Sequence, residues 1–146
     1  MSNKLSLSVQ YVGEARHLPT RTQFRRWIKI ALQCDANITL RIVEEAEGCE
    51  LNRKYRGKDY ATNVLTFVYD DTETLSGDVV FCLPVVAREA AAQHKDLLAH
   101  YAHLTIHAVL HLQGFEHDND ADAAGMEAWE TALMLKLRYP DPYQAN

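Results

Sequence analysis

The sequence predicts an α+β fold: one small domain in which a mixed sheet of about four strands packs against about five helices. Three observations carry that expectation. Apolar residues alternate with polar ones in short segments that suit half-buried strands, and recur at spacings of three and four in longer segments that suit amphipathic helices. The segments run in the order β-α-β-α-β-β-α-α-α, which fits one small sheet backed by helices. With 146 residues, 47% of them hydrophobic, the chain can bury a core but has no room for two ordinary domains, so residues 1–146 are expected to form one.

The first strand is read from Leu5, Leu7, Val9 and Tyr11, which alternate with polar residues. Pro19 and Thr20 open a helix, with Gln23 placed to complete a capping box and Phe24, Trp27, Ile28, Ala31 and Leu32 forming its apolar face. Ile38, Leu40 and Ile42 alternate as a second strand, and a short helix over about 49–56 stops at Gly57. Two strands follow, over 63–68 and 78–82, separated by the acidic turn Asp70-Asp71-Thr72-Glu73. Pro84 suits the first turn of a helix running to about 94, and two further helices are expected over about 97–113 and 120–137.

Composition narrows the function. A net charge of −5 argues against a protein that coats nucleic acid non-specifically, although it leaves room for a local patch. Two basic clusters stand out: Arg21, Arg25, Arg26 and Lys29 around Trp27, read as a solvated helix face, and Arg53, Lys54, Arg56 and Lys58 around Tyr55. Cys34, Cys49 and Cys82 are odd in number and lack a CxxC spacing, so neither a disulfide framework nor a thiolate zinc cluster is expected. The longest apolar run, 79–87, contains Pro84 and falls far short of the ~20 residues that span a bilayer. No basic segment followed by an apolar stretch opens the sequence. A soluble cytoplasmic protein is the expectation.

The chemistry concentrates in His107-Ala-Val-Leu-His111-Leu-Gln-Gly114-Phe-Glu-His117. Residues four apart on a helix share a face, about 6 Å apart along its axis, so His107 and His111 can converge on one ion. Gly114 tolerates the left-handed conformation that closes a helix, and three residues of reversed chain could return His117 as the third ligand. Three protein ligands with a position left open describe a catalytic zinc, whereas a structural zinc is closed by four protein groups. One zinc ion per chain is therefore expected. His100 and His103 extend the stripe, but His103 and His111 would be about 12 Å apart along the axis, too far to share an ion. They are read as surface residues, or as residues behind the ligands, with the surface role preferred.

Together with 51–67, LNRKYRGKDYATNVLTF, and with Gly77-Asp78-Val79-Val80, the histidine segment resembles the bacterial YbeY family of metal-dependent, single-strand-specific endoribonucleases. The family's three histidines fall on His107, His111 and His117, and the arginine of its LNxxYR segment falls on Arg56. The resemblance implies metal-dependent cleavage of single-stranded RNA. It further implies 16S ribosomal RNA 3′-end maturation and ribosome quality control, with the small ribosomal subunit and its assembly factors as partners and neither DNA nor a membrane involved. Departures are Ala108 for the usual glycine, Phe115 for tyrosine, Glu116 for aspartate, and Asn63 and Thr66 where the pattern has Asp and Ser. Asn63 removes a carboxylate that could orient a histidine or a basic residue.

The spacing HxxxHxxGxxH also belongs to a class of zinc peptidases, whose general base is the glutamate after the first histidine. Ala108 stands there and cannot take a proton. Met126, which could imitate the methionine turn of that class, is read as core. Phosphodiester hydrolysis asks less, since a metal ion lowers the pKa of a coordinated water to about 7 without a carboxylate base. Arg56 could complement the phosphate through its planar fork, or form an ordinary salt bridge to Asp59 or Asp78; residue spacing leaves the two even, and the resemblance favours the first. Tyr55 and Tyr60 could stack on unpaired bases or simply pack. A third possibility is a non-catalytic, zinc-bearing ribosome-associated factor. Asp118, Asp120 and Asp122 lack the glycine and glutamate spacing of a calcium loop and are read as a helix-capping turn.

Overall fold

The protein is described by a computed structural model covering residues 3–12, 17–69, 74–115 and 119–144. Among the described residues nine elements follow in the expected order: β1 (Leu5–Tyr11), α1 (Arg21–Ala31), β2 (Ala36–Val43), α2 (Glu45–Arg56), β3 (Val64–Tyr69), β4 (Leu75–Cys82), α3 (Leu83–Ala92), α4 (Leu97–Leu112) and α5 (Asp120–Lys136). The four strands form one sheet in the order β1-β2-β4-β3. β1, β2 and β4 are parallel, with Leu7 opposite Ile38 and Leu40 opposite Val79, while β3 runs antiparallel to β4 with Thr66 opposite Val79. The sheet is mixed, as the sequence predicts. The acidic turn expected at 70–73 lies outside the described residues.

Local chemistry fixes the helix ends. Thr20 and Gln23 form the predicted capping box, with the Gln23 backbone N–H donating to Thr20 Oγ1 at 3.1 Å and the Thr20 N–H donating to Gln23 Oε1 at 2.8 Å. Arg21 and Arg25 do more than face solvent: their guanidiniums donate to the Leu7 and Leu5 carbonyls at 3.1 and 2.9 Å. β1 is an edge strand, so these contacts blunt its open hydrogen-bonding side. Among the described residues, no helix is long and apolar enough to cross a membrane.

Three boundaries differ from expectation. α2 starts at Glu45 rather than near 49, because Glu-Ala-Glu-Gly shows no apolar period. α3 stops at Ala92, since His94 adopts a left-handed φ of 53° that no helix continues. β4 begins at Leu75 and runs through Gly77, where a Cβ would come within 2.8 Å of both Leu112 Cδ2 and the Phe67 carbonyl oxygen. Glycine there is required by the close approach of α4 to the sheet.

α4 organises the core. Eleven of its sixteen residues are buried, from His100 to Leu112, so it runs as an interior helix against α1, α3, α5 and β3. Tyr101 meets the rings of Phe24 and Phe81 edge-on at 6.2 and 5.5 Å, joining α1, β4 and α4. A smaller cluster, Val43, Leu65 and Val80 with Leu51 and Phe67 against it, sits where α2 approaches the sheet.

Candidate active site

A cleft of about 610 Å³ opens between α4 and the segment from the end of α2 through β3. His103, His107 and His111 line one side; Tyr55, Arg56, Asn63 and Phe67 line the other, and Tyr143 of the C-terminal tail also contributes. Helical spacing puts the His107 and His111 rings 5.2 Å apart between centroids, nearly perpendicular, as the sequence predicts for a pair sharing a face. His111 lies in the last turn of the helix. The Gly114 N–H donates to the His111 carbonyl at 3.0 Å and the Phe115 N–H to that of Leu110 at 3.1 Å, with Gly114 at φ 95°. Those bonds reverse the chain where the motif requires a glycine. Phe115 then packs edge-on against Trp129 of α5 at 4.7 Å.

The third expected ligand, His117, lies outside the described residues, as does Glu116. Among the described residues, no three histidine, cysteine, aspartate or glutamate side chains gather closely enough to hold an ion.

His100 and His103 correct the surface assignment. They are 4% and 9% exposed, because α4 is enclosed on nearly every side. Each buried ring meets a carboxylate from another helix. His100 Nε2 lies 3.0 Å from Glu89 Oε1 on α3, and that carboxylate also accepts from Asn63 Nδ2 at 3.1 and 3.3 Å. Asn63 is thus tied to a histidine through Glu89 without a charge of its own. Burial pushes the His100 imidazole below the ordinary histidine range against the pull of Glu89.

His103 and His107 share Glu130 of α5, which is 1% exposed. Its Oε1 lies 2.6 Å from His103 Nε2 and accepts from the Tyr143 hydroxyl at 2.7 Å; its Oε2 lies 3.1 Å from His107 Nδ1. Burial alone would raise this carboxyl, but hydrogen bonds from His103 and His107, the electrostatic pull of the His107 ring and the Tyr143 hydroxyl outweigh it and draw the pKa down to about 2. Burial and the Glu130 charge push the Tyr143 hydroxyl well above the ordinary phenol range. Lys95 Nζ donates to the Pro142 carbonyl at 2.7 Å and Thr131 Oγ1 to Asp141 Oδ1 at 3.2 Å, pinning the tail that carries Tyr143.

Sequence reasoning passed over Glu130, although a signal was present. Met126, Leu133 and Met134 define the buried face of α5, and Glu130 is the carboxylate buried among them. Met126 itself is core, as expected.

Arg56 stands in the last turn of α2, exposed to solvent. Neither of the alternative salt bridges forms: Arg53 takes Asp59 at 3.6 Å and Asp78 receives the Tyr69 hydroxyl. Among the described residues Arg56 makes no ion pair, and its side chain borders the cleft opposite the histidines. Tyr55 is 56% exposed and meets Phe67 edge-on at 5.0 Å, with Lys54 Nζ 5.2 Å from its ring centroid. Tyr60 is exposed but does not line the cleft. The three cysteines are free; Cys82 is buried, whereas Cys34 is exposed.

A carboxylate-braced histidine pair lining the same cleft as an exposed arginine suits a hydrolase acting on an anionic substrate. Comparison with known proteins agrees. Residues 10–138 match the family described as endoribonuclease YbeY. A relative of that name from Nitrosomonas europaea is 56% identical over 96% of this chain and 85% of its own length, and one from Methylobacillus flagellatus is 52% identical over 98% and 96%. The solution structure of TM1509 from Thermotoga maritima shares the fold at a TM-score of 0.56, with 21% identity over 94% of this chain and 99% of that one. The chain belongs to the endoribonuclease YbeY family.

Proposed function

We propose that residues 1–146 form one metal-dependent endoribonuclease domain that cuts single-stranded RNA, with His107, His111 and His117 holding one zinc-class ion and Arg56 facing the reacting phosphate. The observation that carries this reading is the placement of His107 and His111 on the wall of the cleft that Arg56 borders on the other side. The donor set suits the ion. Neutral imidazoles are good zinc ligands, and the Glu130 contact at Nδ1 makes Nε2 the nitrogen through which His107 would bind. When bound, the ion supplies Lewis acidity toward a phosphoryl oxygen and toward water.

The chain's own groups do the remaining work. Arg56 offers a planar fork that matches two phosphate oxygens and complements the charge that grows on them as the bond breaks. Tyr55, more than half exposed beside the arginine, presents a face on which an unpaired base can stack. A duplex would hold its bases out of reach of that face, which supports selectivity for single strands. The family relationship supports ribosomal RNA as substrate, at the 3′ end of the 16S species. On this reading the small ribosomal subunit and its assembly factors are the partners, and the cytoplasm is the compartment.

Metal content and RNA cleavage, measured together with and without chelator, test the reading. About one ion per chain is expected, with chelator-sensitive cleavage of single-stranded RNA, poor cleavage of duplex and none of casein. Chelator-sensitive proteolysis without nuclease activity would favour the peptidase instead, although Ala108, the position of that class's base, is buried and carries no carboxylate. Full metal occupancy in His107→Ala, with loss in His103→Ala, would overturn the ligand assignment.

A further inference from the structure

We propose that Glu130 is a positioning residue that imposes opposite tautomers on His103 and His107, offering the second to the metal and withholding the first. The proposal rests on His107 being a ligand, and it explains how a stripe of histidines on one helix is sorted.

An ionised carboxylate can only accept hydrogen bonds, so each of its three partners must donate. His107 reaches Glu130 through Nδ1 at 3.1 Å, so the proton sits on Nδ1 and the lone pair on Nε2. His103 reaches the same carboxylate through Nε2 at 2.6 Å, so its proton sits on Nε2 and the lone pair on Nδ1. That Nδ1 is buried and has no hydrogen-bond partner among the described residues, which suits a lone pair better than an N–H. Although His103 also borders the cleft, its Nε2 is occupied by the carboxylate. The Tyr143 hydroxyl donates to the same Oε1 at 2.7 Å, and its ring meets His103 edge-on at 5.2 Å. The C-terminal tail therefore keeps the carboxylate turned so that Oε2 is left to His107.

Replacing Glu130 with glutamine preserves volume but exchanges one acceptor for an NH2 group. That group cannot accept from an N–H, so one of the two imidazoles must invert its tautomer or lose its bond. Nitrogen-15 NMR of the histidine rings in metal-free protein, at a pH where the rings are neutral, reads this directly. Wild type should show His107 protonated at Nδ1 and His103 at Nε2, and Glu130→Gln should change at least one of them. Titration with zinc should show affinity weakened about 10- to 100-fold in Glu130→Gln, the usual consequence of losing an outer partner of a histidine ligand.

Wild-type rings with His107 protonated at Nε2 would overturn the proposal, and that measurement needs no variant to fold. Unchanged zinc affinity in a folded Glu130→Gln would overturn it as well. A wild-type protein that shows both tautomers but binds no zinc would refute the metal reading instead, so the two failures are distinguishable.

Discussion

On the α4 wall of the cleft, His103 is 9% exposed and a carboxylate that is 1% exposed holds it; on the α2 wall, Tyr55 is 56% exposed and Arg56 ends in solvent without an ion pair among the described residues. The first wall is assembled before any substrate arrives, since its rings are fixed by a buried carboxylate, by Gly77 beneath the helix and by the tail at Tyr143. The second keeps long charged side chains in water, where they can adjust to a flexible polyanion at little desolvation cost. A metal centre needs geometry held tightly, whereas a single strand without fixed shape is met by mobile cations and open aromatic faces.

The largest effect should come from breaking the rigid wall at a proposed ligand. His111→Ala is expected to lower single-turnover RNA cleavage by more than the roughly 100-fold typical of losing an outer partner, with metal content falling in parallel. Normal metal content and cleavage in that variant would remove His111 from the site. Arg56→Ala, on the open wall, should cut turnover on the order of 100-fold while metal content stays intact and stability changes by no more than about 0.5 kcal/mol. Lysine should rescue little, because a point charge does not reproduce a two-pronged contact. The log-log salt dependence of RNA binding should flatten by about 0.7, the value for one lost single-strand phosphate contact. Near-normal cleavage with a lowered melting temperature would instead make Arg56 a structural residue.

Gly77 tests whether the α4 wall owes its rigidity to close packing. A methyl group there would press on Leu112 and on the Phe67 carbonyl, and the backbone oxygen cannot swing aside. Gly77→Ala should cost about 1–3 kcal/mol in denaturant unfolding, the usual range for overpacking a well-filled interior. An unchanged midpoint would show that α4 can lift off the sheet freely.

The same contrast decides what could be read from the sequence. His107 and His111 are legible because helical spacing is local and repeats in the chain; so are the capping box at Thr20 and the alternation of the strands. Glu130 meets His107 across 23 residues and Tyr143 across 13, and no local period encodes which carboxylate will face which ring. Buried face and polar residue together would have flagged Glu130, but not its partner. His100 and His103 were misread for a related reason. A histidine on a helix reads as polar, and only the packing of α1, α3 and α5 around α4 shows how little of these two rings is left to solvent.

The smallest expected effect concerns His100, which tells whether the rigid wall extends past the cleft. Its ring faces Glu89 on α3, which Asn63 also holds, while Lys95 and His103 oppose a positive charge on it. Burial dominates and sets its pKa below the usual value of about 6.5, so the folded protein takes up this proton less readily than the unfolded chain. Below the unfolded value the unfolded state binds more protons, and stability therefore falls as pH drops through it. His100→Gln keeps a donor for Glu89 but cannot titrate in this range. Its melting temperature should decline less steeply with acidification than that of the wild type, with little difference between them in slope above pH ~7. A steeper decline in the variant would mean that Glu89 wins over burial and holds the imidazole charged, which would make this end of α4 an ion-paired surface rather than a continuation of the packed wall.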